Sequence, residues 1–126
     1  MINDIQGSVL VGYTGTAVML LQDADGNPVV PSGVSAVQYS ISGVAPDGTQ
    51  SAVDGHSDVS LTPAAVLFAE LQSGPIWSRA GGYNFRHEID VSTDAAFPTA
   101  GVYYLVYTFT PTAGQKIGQR FRIIAS

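Results

Sequence analysis

The chain contains no cysteine. Disulfides, thiol nucleophiles and thiolate metal sites are therefore excluded. Small secreted domains commonly rely on disulfides, so the absence leans towards cytosolic synthesis. Charge is scarce as well: Asp, Glu, Lys and Arg make up 12% of the 126 residues, about half the usual share. The first 78 residues hold no Lys or Arg at all. They carry seven acids, Asp4, Asp23, Asp25, Asp47, Asp54, Asp58 and Glu70. All five bases, Arg79, Arg86, Lys116, Arg120 and Arg122, come later, against Glu88, Asp90 and Asp94. The two parts are thus near −7 and +2. This polarity lets two copies, or a copy and a partner, meet with complementary potentials. The overall charge of −5 argues against a nucleic-acid binder, which needs a basic stripe, and against adhesion to an anionic membrane. No apolar run approaches the roughly 18 residues of a membrane span. The opening Met1 to Gln6 lacks the basic segment and apolar core of a secretory leader.

Apolar residues are abundant, at 45%, with 14 glycines. Short apolar runs are broken by turn residues about every 8–12 positions, the pattern of a sandwich or barrel. Val9 to Tyr13 and Thr16 to Gln22 read as strands. The second is apolar on both faces, as a central strand would be. Asp23-Ala24-Asp25-Gly26-Asn27-Pro28 is a turn by residue type. Val34 to Ala45 alternates Val37, Tyr39 and Ile41 against Gln38, Ser40 and Ser42, and Pro46-Asp47-Gly48 closes it. An edge strand is expected near Val59 to Leu61. A single turn at Thr62 to Ala64 precedes a strand running to Leu71. Tyr83 to Val91 places Tyr83, Phe85, His87, Ile89 and Val91 on one face and Asn84, Arg86, Glu88 and Asp90 on the other. Gly101 to Thr110 is apolar on both faces, so it is central or covered by a partner. After a loop at 111–115, Lys116 to Ile124 returns with Ile117, Phe121 and Ile123 inward and Arg120 and Arg122 outward. The expectation is one all-β domain over 1–126. It is a single antiparallel β-sandwich of immunoglobulin-like type, with seven to nine strands and little or no helix. Residues 1–7 are a candidate N-terminal arm.

Candidate chemistry is thin. Asp23-x-Asp25-Gly26-Asn27 resembles the start of a calcium loop, but the sixth and twelfth loop positions are Pro28 and Val34 where Gly and Glu are needed. A plain turn is the stronger reading. Asp54-Gly55-His56-Ser57-Asp58 spaces two carboxylates and an imidazole two residues apart, as a metal site or a hydrolase fragment would. Its setting reads as an exposed polar loop. His87, between Phe85 and Ile89, reads as a core or interface histidine. Glu88 and Asp90 have a glycosidase-like spacing but no pocket to raise one pKa. Gly114-Gln115-Lys116 lacks phosphate-loop spacing. Trp77 with Tyr83, and Tyr103-Tyr104 with Tyr107, form either a sugar platform or core and interface packing, the latter favoured. Trp77 and Arg79 combine the residue types that anchor interfaces.

Three stretches resemble small immunoglobulin-like virion proteins of tailed bacteriophages, of the neck, decoration and baseplate kinds. These are Leu21-Gln22-Asp23-Ala24-Asp25-Gly26-Asn27-Pro28, Tyr83-Asn84-Phe85-Arg86-His87 with Ile89, and Phe97-Pro98-Thr99-Ala100-Gly101-Val102-Tyr103 leading into Tyr107-Thr108-Phe109-Thr110. The resemblance implies a non-enzymatic virion subunit acting in many copies at the head–tail neck or capsid surface. It carries over no catalytic residue, cofactor or metal. The expected partners are further copies and other virion proteins, with no nucleic acid and no membrane. The expected location is the virion, after synthesis in the host cytoplasm. The interface candidates are Trp77, Arg79, Arg86, Arg120, Arg122 and Tyr104. The competing expectation is a carbohydrate-binding or adhesive β-sandwich module, and a small hydrolase built on Asp54, His56 and Asp58 stands third.

Overall fold

The computed structural model describes residues 4–77 and 81–126. Among them are nine strands: β1 (Ile5–Val9), β2 (Thr16–Met19), β3 (Val34–Val44), β4 (Gln50–Ala52), β5 (Val59–Leu61), β6 (Leu67–Gln72), β7 (Tyr83–Glu88), β8 (Gly101–Pro111) and β9 (Ile117–Ala125). A four-residue helix, α1 (Pro63–Val66), and a 3-10 turn at Pro31–Gly33 are the helical elements. The larger sheet has the order β1-β9-β8-β3-β4, with β5 also on β3, and the smaller has the order β2-β7-β6. The two pack face to face as an all-β sandwich.

Period-two alternation builds the core. Tyr103, Leu105, Tyr107 and Phe109 of β8 are buried, and so are Val37, Tyr39 and Ile41 of β3 and Phe121 and Ile123 of β9. From the facing sheet come Ala17, Met19, Leu67 and Phe85. Phe85 meets Tyr107 and Phe109 edge-on, at centroid distances of 4.8 and 5.4 Å, a geometry the ring quadrupoles favour. β8 is central, between β9 and β3, as its two apolar faces foretold. At its start the Tyr103 hydroxyl donates to the Thr99 carbonyl at 2.7 Å and accepts from the Thr99 amide at 3.1 Å. This pins the crossing loop, whose Phe97 is buried against Tyr103.

Several expectations are corrected. The first strand is Ile5–Val9, running parallel to β9 from Ile5 opposite Phe121 to Val9 opposite Ala125. Residues 5–7 therefore belong to the sheet and are not an arm, and Leu10 to Tyr13 form a turn. Gly7 hides this strand in the sequence. A Cβ there would lie 3.1 Å from Ile123 Cδ1, so the close approach of β1 favours the missing side chain. β2 is an edge strand. Val18 on its second face, and Leu20 just beyond its end, are half-buried. Asn84, expected to point outward, is fully buried. Its amide nitrogen donates to the carbonyls of Leu21 at 2.9 Å and Val29 at 2.8 Å, and its oxygen accepts from the Leu21 amide at 2.6 Å. One side chain thus satisfies the backbone where the chain leaves β2, since buried main-chain groups must find partners. β4 went unread because Gln50-Ser51-Ala52 is polar and exposed.

Candidate functional site

Two buried histidines give the core its polar centre. His56 is 2% exposed and His87 8% exposed. His56 is therefore no part of an exposed loop. Its Nε2 lies 2.8 Å from the Asp94 carbonyl, which can only accept, so that nitrogen carries the hydrogen. Its Nδ1 lies 2.7 Å from the Tyr39 hydroxyl, which donates to it when the ring is neutral. His87 Nδ1 lies 2.7 Å from the Tyr107 hydroxyl. The Tyr39 ring links the pairs, 5.0 Å from the His87 ring and 6.0 Å from Tyr107. Burial, then the neighbouring His56, pushes the His87 pKa down from 6.5 to about 4. Burial raises both tyrosines, the charge of Asp90 adding to Tyr39 and the Tyr39 phenol to Tyr107. These groups hold the sheets together through satisfied polar contacts. The clefts beside β1 and β2 and beside Asp54 and Asp94 are not lined by any of these four side chains.

The Asp54, His56, Asp58 constellation is not assembled. His56 points into the core, while Asp54 and Asp58 are exposed. Asp58 Oδ1 accepts from Ser40 Oγ at 3.2 Å, and its amide donates back to that oxygen at 2.8 Å. Gly55 is required here: its φ is +79°, and a Cβ would fall 2.2 Å from Asp94 Oδ2. Asp23 acts as a turn residue. Its Oδ1 accepts from the Asp25 and Asn27 amides at 2.9 and 3.0 Å. Among the described residues no group of three or more His, Asp or Glu side chains could hold a metal ion. Glu88 is exposed at the end of β7, and Asp90 bonds the Ser92 hydroxyl and amide, which holds its carboxyl below the usual range. Tyr83, Tyr103 and Tyr107 are buried and cannot form a surface platform. Trp77 is half-buried, 5.8 Å from Tyr83.

A cleft of about 760 Å³ opens along the seam between β1 and β2. Ile5, Val9, Met19, Trp77 and Phe121 contribute to its lining, in which none of the described residues has a titratable side chain. The Trp77 Nε1 beside it has no hydrogen-bond partner among the described residues.

The outer face of the larger sheet is the feature that packing inside this chain leaves unexplained. Outward-facing Val102, Tyr104 and Val106 of β8 run along its centre. In register beside them stand Ile124, Arg122 and Arg120 of β9 and Val44, Ser42 and Ser40 of β3. Ile124 is 44% and Val106 36% exposed. Arg120 lies 4.0 Å over the Tyr104 ring and grips Asp4 through two hydrogen bonds of 2.9 Å. That pairing lowers the Asp4 pKa and raises that of Arg120. One of the expected base–acid contacts is therefore made within the chain. Among the described residues Arg122 bonds an amide oxygen, Gln6 Oε1, at 3.4 Å, and its charge helps to lower the Asp4 pKa. Arg86 is exposed on the opposite sheet, opposite Val18. Arg79 lies outside the described residues. Of the candidates, Tyr104, Arg120 and Arg122 share this face, while Trp77 and Arg86 do not.

Sequence reading placed the arginines outward but missed Asp58 as a neighbour of this face. Its link to Ser40 depends on the pairing of β5 with β3, which has no local signature. No protein-family model, curated protein or solved structure matches the chain. No helix among the described residues is long and apolar enough to cross a membrane.

Proposed function

We propose that this chain is a non-enzymatic structural subunit that assembles in several copies through the outer face of its larger sheet. The carrying observation is the apolar row Val102, Tyr104 and Val106, continued by Ile124 and flanked by Arg120 and Arg122. An apolar centre with arginine and tyrosine beside it is the composition of an interface core. The buried histidines, by contrast, are occupied by Tyr39, Tyr107 and the Asp94 carbonyl.

The setting proposed for this assembly is a tailed-phage virion, at the neck or capsid surface. That part of the reading rests on the resemblance of residues 21–28, 83–89 and 97–110 described above. An immunoglobulin-like sandwich is supported by the parallel pairing of β1 with β9, the order β1-β9-β8-β3-β4 over β2-β7-β6, and the Tyr103 hydroxyl tied to the Thr99 main chain. Light scattering across micromolar concentrations tests assembly. Wild-type protein should show a discrete oligomer, and Val106→Arg should shift it towards monomer with an unchanged circular dichroism spectrum. An oligomer indifferent to Val106→Arg refutes the proposed face.

A further inference from the structure

The larger sheet carries its charge in a self-complementary layout. On β9, Arg120 and Arg122 stand on one side of the β8 apolar row. On the other side, beyond β3, the Asp58 carboxylate sits against Ser40 at the start of β5. Ser40 pairs with Val106, and Val106 with Arg120, so base, apolar residue, serine and acid follow one line across the sheet. Strands lie about 4.8 Å apart, so β9 and β5 are separated by roughly 14 Å, with β8 and β3 between them.

We infer that the occupant of this face is a second copy of the chain, related by a two-fold axis running along the strands between β8 and β3. This deepens the assembly reading and rests on it. Such an axis places β9 of each copy over β5 of the other, and β8 over β3. Arg120 and Arg122 then approach the partner copy's acidic edge at Asp58. Tyr104 and Val106 meet the small Ser42 and Ser40, so large side chains face small ones, as a packed interface needs. A two-fold contact is self-complementary: each favourable pair occurs twice. Arg122 is the base less committed within the chain: Arg120 bonds Asp4 directly and stacks on Tyr104, whereas Arg122 acts on Asp4 through its charge alone. Asp58 lies about 7 Å along the strand from the row of Arg122, within an arginine's reach.

Sedimentation velocity on wild-type protein, Arg122→Glu, Asp58→Lys and the double reversal tests this, with circular dichroism melts to confirm folding. Each single reversal should weaken the dimer about tenfold, and the double reversal should restore most of that loss, as coupled charge pairs do. Asp58 has a φ of +50°, so Asp58→Asn, which suits that conformation, serves as a second variant and should weaken the dimer less. A discrete oligomer unaffected by either single reversal overturns the two-fold face but leaves assembly standing. Weakening in the singles without recovery in the double overturns the Arg122–Asp58 pairing. A wild-type monomer throughout overturns both the pairing and self-assembly.

Discussion

Replacing His87 with Gln should flatten the acid side of the stability profile. The His87 ring is 8% exposed and bonded to Tyr107, and its pKa falls from 6.5 to about 4. In the unfolded chain it recovers the ordinary value. Between those two pH values the unfolded state therefore binds a proton that the native state refuses. Stability is complete above about pH 6.5 and drains as pH falls towards 4. The slope approaches 1.36 kcal/mol per pH unit, and the gap between 6.5 and about 4 amounts to about 3 kcal/mol. Gln can still hydrogen-bond the Tyr107 hydroxyl but does not titrate. Urea unfolding from pH 7.5 to 4 would give both curves, and their difference isolates His87 from every other titrating group. The wild-type curve should fall away from the variant's by about 1 kcal/mol per pH unit through this window. Parallel curves would refute the claim that burial keeps this ring neutral.

Asn84→Ala should cost about 2 kcal/mol or more in urea unfolding, because it leaves the Leu21 amide and the Val29 carbonyl without the Asn84 side chain, while the Leu21 carbonyl keeps its bond from the Val29 amide at 2.9 Å; a loss under about 1 kcal/mol would show that water replaces the side chain. Gly55→Ala should destabilise far more than Gly48→Ala by thermal melt. Both glycines have positive φ, but only at Gly55 would the new Cβ strike Asp94, whereas Gly48 faces open space. Tyr107→Phe should cost about 1–3 kcal/mol by leaving His87 Nδ1 unpaired in the core, with an unchanged far-ultraviolet spectrum.

The fold class was legible because buried strands advertise themselves. The alternation through Tyr83 to Ile89, and the doubly apolar run of β8, follow directly from the period of two. What was not legible depends on long-range pairing. β1 carries Gly7 where a large side chain would collide with Ile123, so its pattern is interrupted in the sequence. Asn84 sits at a polar position of a regular alternation, yet it is buried because the chain after Met19 brings the Leu21 and Val29 main chain onto it. His56 read as solvent-exposed because Asp54, Ser57 and Asp58 surround it. Burial follows instead from the bonds that tie this segment to β3, Ile41 N to His56 O at 2.8 Å and Val53 N to Ile41 O at 3.0 Å. The outward arginines on β9 were foreseen, but the acid across the sheet was not, because β5 joins β3 from 18 residues away in the case of Asp58 and Ser40.

Tyrosine footprinting measures the central claim most directly. Tyr13 is 65% exposed in the turn after β1 and serves as an internal reference, while Tyr104 lies on the outer face of the larger sheet. Oxidative labelling at low and high protein concentration should show Tyr104 becoming protected as concentration rises, with Tyr13 unchanged. Tyr104 labelling that keeps pace with Tyr13 at every concentration would contradict assembly through this face.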